Sequence, residues 1–582
     1  MAWNMHKKMI KGNAYYYAQR SWREKLPADK PGGKSVSKVR SEMLYLGTVE
    51  SLVKRIRATR APVEVRHRDF GFVAAIWQCA RQTGLEDLLR THIAGTRCGV
   101  PRWLYFMLPI INRLQHATSK QQMGKWAKNT VLPELLHFDP ERLNSKSFWY
   151  ATDDVISEKE LRRRREEKPE IEEELFAGLD DKVFARIEEE LAGKLREKYG
   201  LFADTLLYDT TNFFTYIEEP VRSKMARTGH NKEARHHLRQ IGLSLCVDKE
   251  WGIPLFYRLY RGNAQDAKTF SGIVEDLVRA IRAGCESVEK LVLVLDKGNN
   301  SKENFQALDG KLDWVGSLTP THHNDLLALP LEDYEGTWQD CKYHSLTRKV
   351  MGIDCTLVLT YSDLLARKQT HGLENGINKL ERHVLQKWNE YKNTPSSVPK
   401  GIASLLKQSR YGNYLQVDCI EGKPVFSQTP QIKQRIAEQK KRFGKNLLFA
   451  NGAEAQAPWI IEQYRKKDRV EDGFKLLKHP EIIRWRPCRH WTDTKIRAFG
   501  FCCVMALILI RVMERETVLQ GIPMSPQLIK EELDDIKEVI MVYDDHTVQT
   551  QITHRSAVQN RLWDIFELET VYRQLTQQTV TA

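Results

Sequence analysis

Apolar positions recur at two different periods along the chain, and the changes of period divide it. The runs YYYAQRSW (15–22) and KVRSEMLYL (38–46) are aromatic or branched and are joined across ADKPGGK. This predicts two antiparallel strands with a proline-glycine loop between them, a small basic β-ribbon. From Phe70 the spacing becomes helical: FGFVAAIWQCARQTGLEDLLRTHIAG, PRWLYFMLPIINRLQH and SKQQMGKWAKNTVLPELL predict short amphipathic helices. The dense mixed-charge run from Glu158 to Glu174 predicts a solvated helix.

At Thr205 the pattern changes again. TLLYDTTNFFTY, IGLSLCVD and IPLFYRLYRG are three consecutive strand-like segments, and DAKTFSGIVEDLVRAIRAG is a helix with Gly284 as its cap. EKLVLVLDKG is a continuous apolar run ending in an aspartate, the pattern of a buried central strand. A helix around SKENFQAL and a strand at DWVGSLT complete the order βββαβαβ, which is that of an RNase H-like sheet. Thr319 to Pro458 then interrupts with strands such as TLVLTY and GNYLQVDCI and one long charged helix over Asn375 to Tyr391. Thr492 to Ala582 reads as helical.

The predicted fold is therefore α/β: an RNase H-like catalytic domain interrupted by a mainly β insertion, preceded by a β-ribbon and a helical DNA-binding region, and followed by a helical C-terminal region. The expected boundaries are 1–66 for the ribbon, 67–200 for the helical region, 201–319 and 458–515 for the two parts of the catalytic domain, 320–457 for the insertion and 516–582 for the C-terminal region.

Composition narrows the function. A chain of 582 residues, 41% hydrophobic, buries several cores without disulfide staples. Its ten cysteines form no CxxC pair and no zinc-ligand spacing, so free thiols in a reducing compartment are expected, and with them a cytoplasmic location. The first residues, MAWNMHKKMIKGNAYYY, lack the apolar region of a secretory leader. The most apolar run, Phe499 to Ile510, is shorter than the roughly 20 residues a membrane span requires and predicts a buried core helix, so no membrane partner is expected. The formal charge of +15 points to a polyanion.

Candidate chemistry lies in three places. Asp209 closes TLLY and Asp296 closes LVLVL, at what the pattern makes one edge of the sheet, where functional groups gather as strands run out into loops. An aspartate at a strand end also caps turns. The third place is YRKKDRVEDGFKLLK (464–478), where Tyr464, Lys467, Glu471 and Lys478 are spaced by 3, 4 and 7, along one face of a helix. Val470, Phe474 and Leu477 form the adjoining apolar stripe. If Asp209, Asp296 and Glu471 converge, they can hold two divalent ions for in-line attack on a phosphodiester, and oxygen ligands favour Mg2+ or Mn2+ over zinc. The surrounding residues would then meet DNA, the lysines and arginines offsetting phosphate charge: Tyr464, Lys467, Arg469, Lys475 and Lys478 on the helix, and Arg486, His490 and Trp491 in the block RPCRHWTD. Trp485, Trp491 and Tyr464 could alternatively stack on an extruded base or pack in the core.

The segment resembles the Tyr-x2-Arg-x3-Glu-x6-Lys signature of bacterial insertion-sequence transposases with a DDE catalytic domain, with Tyr464, Lys467, Glu471 and Lys478 at its positions. Lysine replaces arginine at the second, which keeps a charge without the bidentate fork. YDTTNFF and LDKGNNSKENF are similar to that family's first and second aspartate boxes. YYYAQRSW, SKQQMGKWAKNT and RPCRHWTDTKIRAF resemble its other blocks, with Phe499 where histidine is expected. The resemblance implies an enzyme that binds double-stranded DNA at terminal inverted repeats, cleaves there and joins the ends to target DNA, acting as a homodimer. An RNase H-like nuclease or resolvase shares the metal chemistry without requiring so large an N-terminal region and insertion. A non-catalytic DNA-binding descendant would have no use for the three acids.

Overall fold

The computed structural model describes residues 3–26, 36–57, 61–201, 204–217, 222–231, 235–282, 291–391, 395–451, 455–486, 488–544 and 547–579. ADKPGGK and Gly284, the expected ribbon loop and helix cap, lie outside these residues. The chain forms two compact units, Met1–Arg68 with Lys537–Thr553, and Asp69–Ile536 with His554–Ala582.

The first unit holds a three-stranded antiparallel sheet, Asn4–Ile10, Asn13–Leu26 and Val36–Thr48, one strand more than expected. The extra strand, NMHKKMI, is exposed along its whole length and so carries no apolar alternation. Its evidence in the sequence is the two-residue turn Lys11-Gly12, both with positive φ (50° and 83°), as a hairpin turn matched to strand twist requires. Tyr17 pairs with Tyr45 across the sheet, their rings 5.2 Å apart. The expectation of a purely helical C-terminal region is corrected here. Lys537–Val542 and Val548–Ile552 form a hairpin that joins Glu64–Asp69 in a second three-stranded sheet, as the β-branched residues of KEVIMV favour.

The second unit is organised by one large mixed sheet, whose main strands are β1 (Thr205–Phe214), β2 (Arg239–Asp248), β3 (Pro254–Arg261), β4 (Val292–Leu295), β5 (Asp313–Leu318), β6 (Gly336–Trp338), β7 (Cys341–Val350), β8 (Ile353–Tyr361) and β9 (Lys445–Ala450). Their order is β3-β2-β1-β4-β5-β9-β8-β7-β6. The pairs β1–β4 and β4–β5 are parallel, and the others are antiparallel. Helices Asp266–Arg282 and Lys302–Leu308 make the two crossovers that parallel pairing demands. β4 is buried at all four positions, which is why its sequence is an unbroken apolar run.

Residues 320–457 differ from the expected mainly β insertion. Their strands β6, β7, β8 and β9 continue the central sheet from β5, so they add to it instead of forming a separate sheet. Between β8 and β9 the chain forms helices Asp363–Trp388, Lys400–Gln408 and Pro430–Arg442 with one hairpin, around a core of their own that includes Leu373, Ile377, Val384, Trp388 and Ile402.

The sheet is followed by three helices that matter for the site: α1 (Ala457–Arg465), α2 (Asp468–Lys478) and α3 (Asp493–Leu519). The expected single helix over 464–478 is corrected: the chain turns at Lys466 and Lys467 and starts again at Asp468. α1 packs on β5, β8 and β9, and α2 packs on β1 and β2 through buried Val470, Gly473, Phe474 and Leu477. α3 is longer than the apolar run suggested. Its 27 residues pass the length and hydropathy test for a membrane span, yet 94% of the apolar window is buried inside the protein, as expected of a core helix. Its first residue, Asp493, accepts hydrogen bonds from Arg165 (2.6 Å) and from the Lys224 and Met225 backbone N–H groups (3.0 and 3.1 Å). The mixed-charge run is thus not wholly solvated, because Arg165 turns inward to this aspartate.

Candidate active site

Parallel pairing of β1 with β4 places Leu295 opposite Tyr208, so the next residues, Asp209 and Asp296, leave the paired region side by side. Asp209 does not end its strand, as the sequence suggested. β1 continues to Phe214 against β2, and only its pairing with β4 stops there. Asp296 begins the short helical turn Lys297–Asn299. Glu471 stands in the first turn of α2, where the helix dipole favours a negative charge.

One side chain links the three acids. The Lys467 ammonium lies 3.2 Å from Asp296 Oδ2, 3.4 Å from Glu471 Oε1 and 4.0 Å from Asp209 Oδ2. The break between α1 and α2 brings Lys467 there: it occupies the N-cap position of α2 and its side chain is only 11% exposed. Burial alone would lower its pKa, but Asp209 and Asp296 outweigh that and raise it. Burial pushes the Asp296 carboxyl upward, and the Lys467 charge with the Lys297 N–H more than reverses this, leaving it below the ordinary value. Asp209 accepts a hydrogen bond from the Thr210 N–H at 2.8 Å.

Tyr464, near the end of α1, donates its hydroxyl to Ser317 Oγ at 2.8 Å and lies 3.4 Å from Asp296 Oδ1. Burial raises its pKa, keeping it a donor. Lys478, in the last turn of α2, bonds Thr211 Oγ1 at 2.7 Å and lies 5.4 Å from the Phe213 ring centre. Thr211 and Asp209 are two residues apart on β1 and share a face. That alternation was the available signal for Thr211, and Ser317 was legible only as a polar residue near the end of the buried strand β5.

The remaining candidates are dispersed. Lys475 pairs with Asp472 at 2.7 Å, and Arg469 is exposed on α2. Arg486 lies over the Phe214 ring, and His490 packs against Phe499 with ring centres 4.9 Å apart. Burial drives the His490 pKa well down, so the imidazole is neutral. Trp491 stacks on Trp149 at 5.1 Å, with Arg222 over its ring. Trp485 is fully buried and stacks on Phe213 at 4.2 Å, the core alternative expected for it.

The acids offer only oxygen donors, the set that suits a hard divalent cation, and all three already face one positive charge. Among the described residues no three His, Cys, Asp or Glu side chains lie close enough together to hold a metal ion. The Lys467 ammonium stands between them instead.

The mixed sheet thus carries paired aspartates at the edge of its parallel β1–β4 pair, and a following helix brings in a glutamate. Residues 202–509 match the family model described as Transposase DDE domain, and the chain belongs to that family. It is also similar to a piggyBac transposase seen in a synaptic complex with hairpin DNA, at 10% identity, a TM-score of 0.37 and coverage of 79% of this chain and 77% of that one. No curated protein matches the chain.

Proposed function

We propose that the protein is a DDE transposase that binds the terminal inverted repeats of its element, cleaves the ends and joins them to target DNA. In this reading Asp209, Asp296 and Glu471 are the catalytic carboxylates, β3-β2-β1-β4-β5 is an RNase H-like core, and two chains act together on the DNA. The observation that carries it is the sharing of one buried ammonium by three acids that come from β1, the end of β4 and α2. The family match spans all three of them.

Asp209, Asp296 and Glu471 would hold divalent ions, Mg2+ or Mn2+ and two per site, on drawing closer together than they stand around the Lys467 ammonium. When bound, these would supply Lewis-acid activation of the attacking and departing oxygens. The other steps belong to the chain's own groups. Lys467 offsets the mutual repulsion of the carboxylates and keeps Asp296 ionised. The Tyr464 hydroxyl, anchored on Ser317, holds Asp296 in orientation. Lys478, seven residues beyond Glu471 on α2 and beside Thr211, is positioned to hold a phosphate next to the carboxylates.

The direct test offers the purified chain labelled duplexes carrying the ends of its element, together with Mg2+. Strand cleavage at the end and a joined product with target DNA are expected. Cleavage that ignores the end sequence and yields no joined product would overturn this reading in favour of a general nuclease.

A further inference from the structure

Lys467 sits on the inner side of the acids that share it. Its side chain is 11% exposed, against 16% for Asp209, 25% for Asp296 and 48% for Glu471, so the cluster is buried around the ammonium and opens to solvent at Glu471. The backbone fixes where this lysine starts: in the turn between α1 and α2 its N–H donates to the Tyr464 carbonyl at 3.2 Å, which holds its Cα at the head of α2. The other end is held by charge. Its Nζ meets carboxylate oxygens at 3.2, 3.4 and 4.0 Å on a flexible alkyl stem.

Those oxygens are the ones a divalent cation would need. Hard cations take carboxylate oxygens at about 2.0–2.6 Å, and an ammonium donates to the same lone pairs from about 2.8 Å. Both cannot hold them at once, because two positive charges would then stand side by side with little water to screen them. The spacing agrees: among the described residues no three acids are close enough to hold a metal ion, and the ammonium stands between Asp209, Asp296 and Glu471. A single ammonium against three carboxylates also leaves the cluster with an excess of negative charge.

We propose that Lys467 is an exchangeable counter-ion: in the DNA-free chain its ammonium occupies the place of the divalent cation, and it leaves the carboxylates when a phosphate arrives to receive it, so that metal and DNA bind cooperatively. The inference rests on the reading of the three acids as metal-binding carboxylates. An arriving phosphodiester brings its charge to the open, Glu471 side of the cluster, and the ammonium gains an anion outside as it gives up those inside. Linkage makes the effect reciprocal: what phosphate adds to metal affinity, metal adds to phosphate affinity. The chain is thereby restrained from loading metal before DNA is in place. Because the exchanged lysine then serves at the phosphate, its removal tightens metal binding and lowers cleavage at once.

The test measures Mn2+ binding to the full-length, DNA-free protein by paramagnetic resonance of the free ion. Lys467→Met and Lys467→Gln should each bind Mn2+ at least about tenfold more tightly than wild type. Lys467→Arg, which keeps the cation, should stay close to wild type, and Glu471→Gln added to Lys467→Met should abolish the gain. A purely structural lysine would act in the opposite sense, since its loss would scatter the carboxylates and weaken Mn2+ binding. Adding an end duplex, with its own Mn2+ uptake subtracted, should tighten Mn2+ binding more in wild type than in Lys467→Met. On wild type alone, mass spectrometry after brief acetylation should find Lys467 protected without metal and labelled once Mg2+ saturates, a readout that needs no variant to fold. Mn2+ binding that depends on Glu471 but is no tighter in either neutral variant than in wild type, or a Lys467 that stays protected at saturating Mg2+, would overturn the exchange and leave the carboxylates as the metal site. An equal gain from the duplex in wild type and Lys467→Met would do the same. Mn2+ binding indifferent to Glu471→Gln in every background would overturn both readings.

Discussion

Lys467 Nζ lies 3.2 Å from Asp296 Oδ2, although one residue starts a helix late in the chain and the other follows a strand far before it. The lysine is therefore part of the acid cluster. Lys467→Met should leave the carboxylates repelling one another without compensation. We predict loss of cleavage of at least about a hundredfold with end binding reduced much less. The ratio of cleavage rate to binding affinity, compared with Lys467→Arg, measures this: the arginine variant should recover part of the rate.

Lys478 donates to Thr211 Oγ1 at 2.7 Å, two residues along β1 from Asp209. Lys478→Ala should lower the slope of log affinity against log salt by roughly one unit and slow strand joining. If the lysine served only to hold Thr211, the slope would stay unchanged and the melting temperature would fall.

The N-terminal sheet presents Lys7 and Lys8 on a fully exposed strand. Replacing both with glutamine should weaken binding to element ends in low salt and reduce the salt slope by about two units, with little change in melting temperature. A full-length chain is needed for this measurement. The strand Glu64–Asp69 pairs with a hairpin from residues 537–552, so a fragment ending near Leu201 would lose that partner.

Arg497 is held in the interior by Asp181, Glu188 and Tyr257. Arg497→Met would take the buried cation from two half-buried acids and should cost about 3 kcal/mol in denaturant unfolding. Burial raises the Asp181 pKa, but Arg497 more than offsets this and holds it below the ordinary value. Asp181 therefore contributes stability that is present above the unfolded carboxylate range near pH 4 and is lost as pH falls through its folded pKa. The variant should lack that contribution, so the difference in stability between wild type and variant should shrink on acidification.

Much of the second unit was legible because its signals are strong and local. β4 reads as a central strand from four apolar residues in a row, and α3 reads as core from its uninterrupted hydrophobicity. Asp296 followed from a strand end, whereas Asp209 lies inside its strand, and Val470, Phe474 and Leu477 followed from helical spacing. What escaped depends on contacts distant in sequence. The turn at Lys466 and Lys467 is made of residues that also suit a helix, so nothing in YRKKDRVED marks it, yet it carries the lysine into the acids. The sheet extension through β9 and β8 could not be read either, because apolar strands reveal burial without revealing a neighbour. The exposed first strand of the ribbon lacks a hydrophobic face altogether.

The central claim is that Asp209, Asp296 and Glu471 act together on a phosphodiester bond. Its most direct measurement is Mg2+-dependent strand cleavage at a labelled element end by Glu471→Gln, a nearly isosteric change at an exposed position in the first turn of α2. The account predicts that the variant folds with an unchanged melting temperature, binds the end with affinity close to wild type and cleaves at least about a thousandfold more slowly. Cleavage at the wild-type rate by a folded, DNA-bound variant would contradict it.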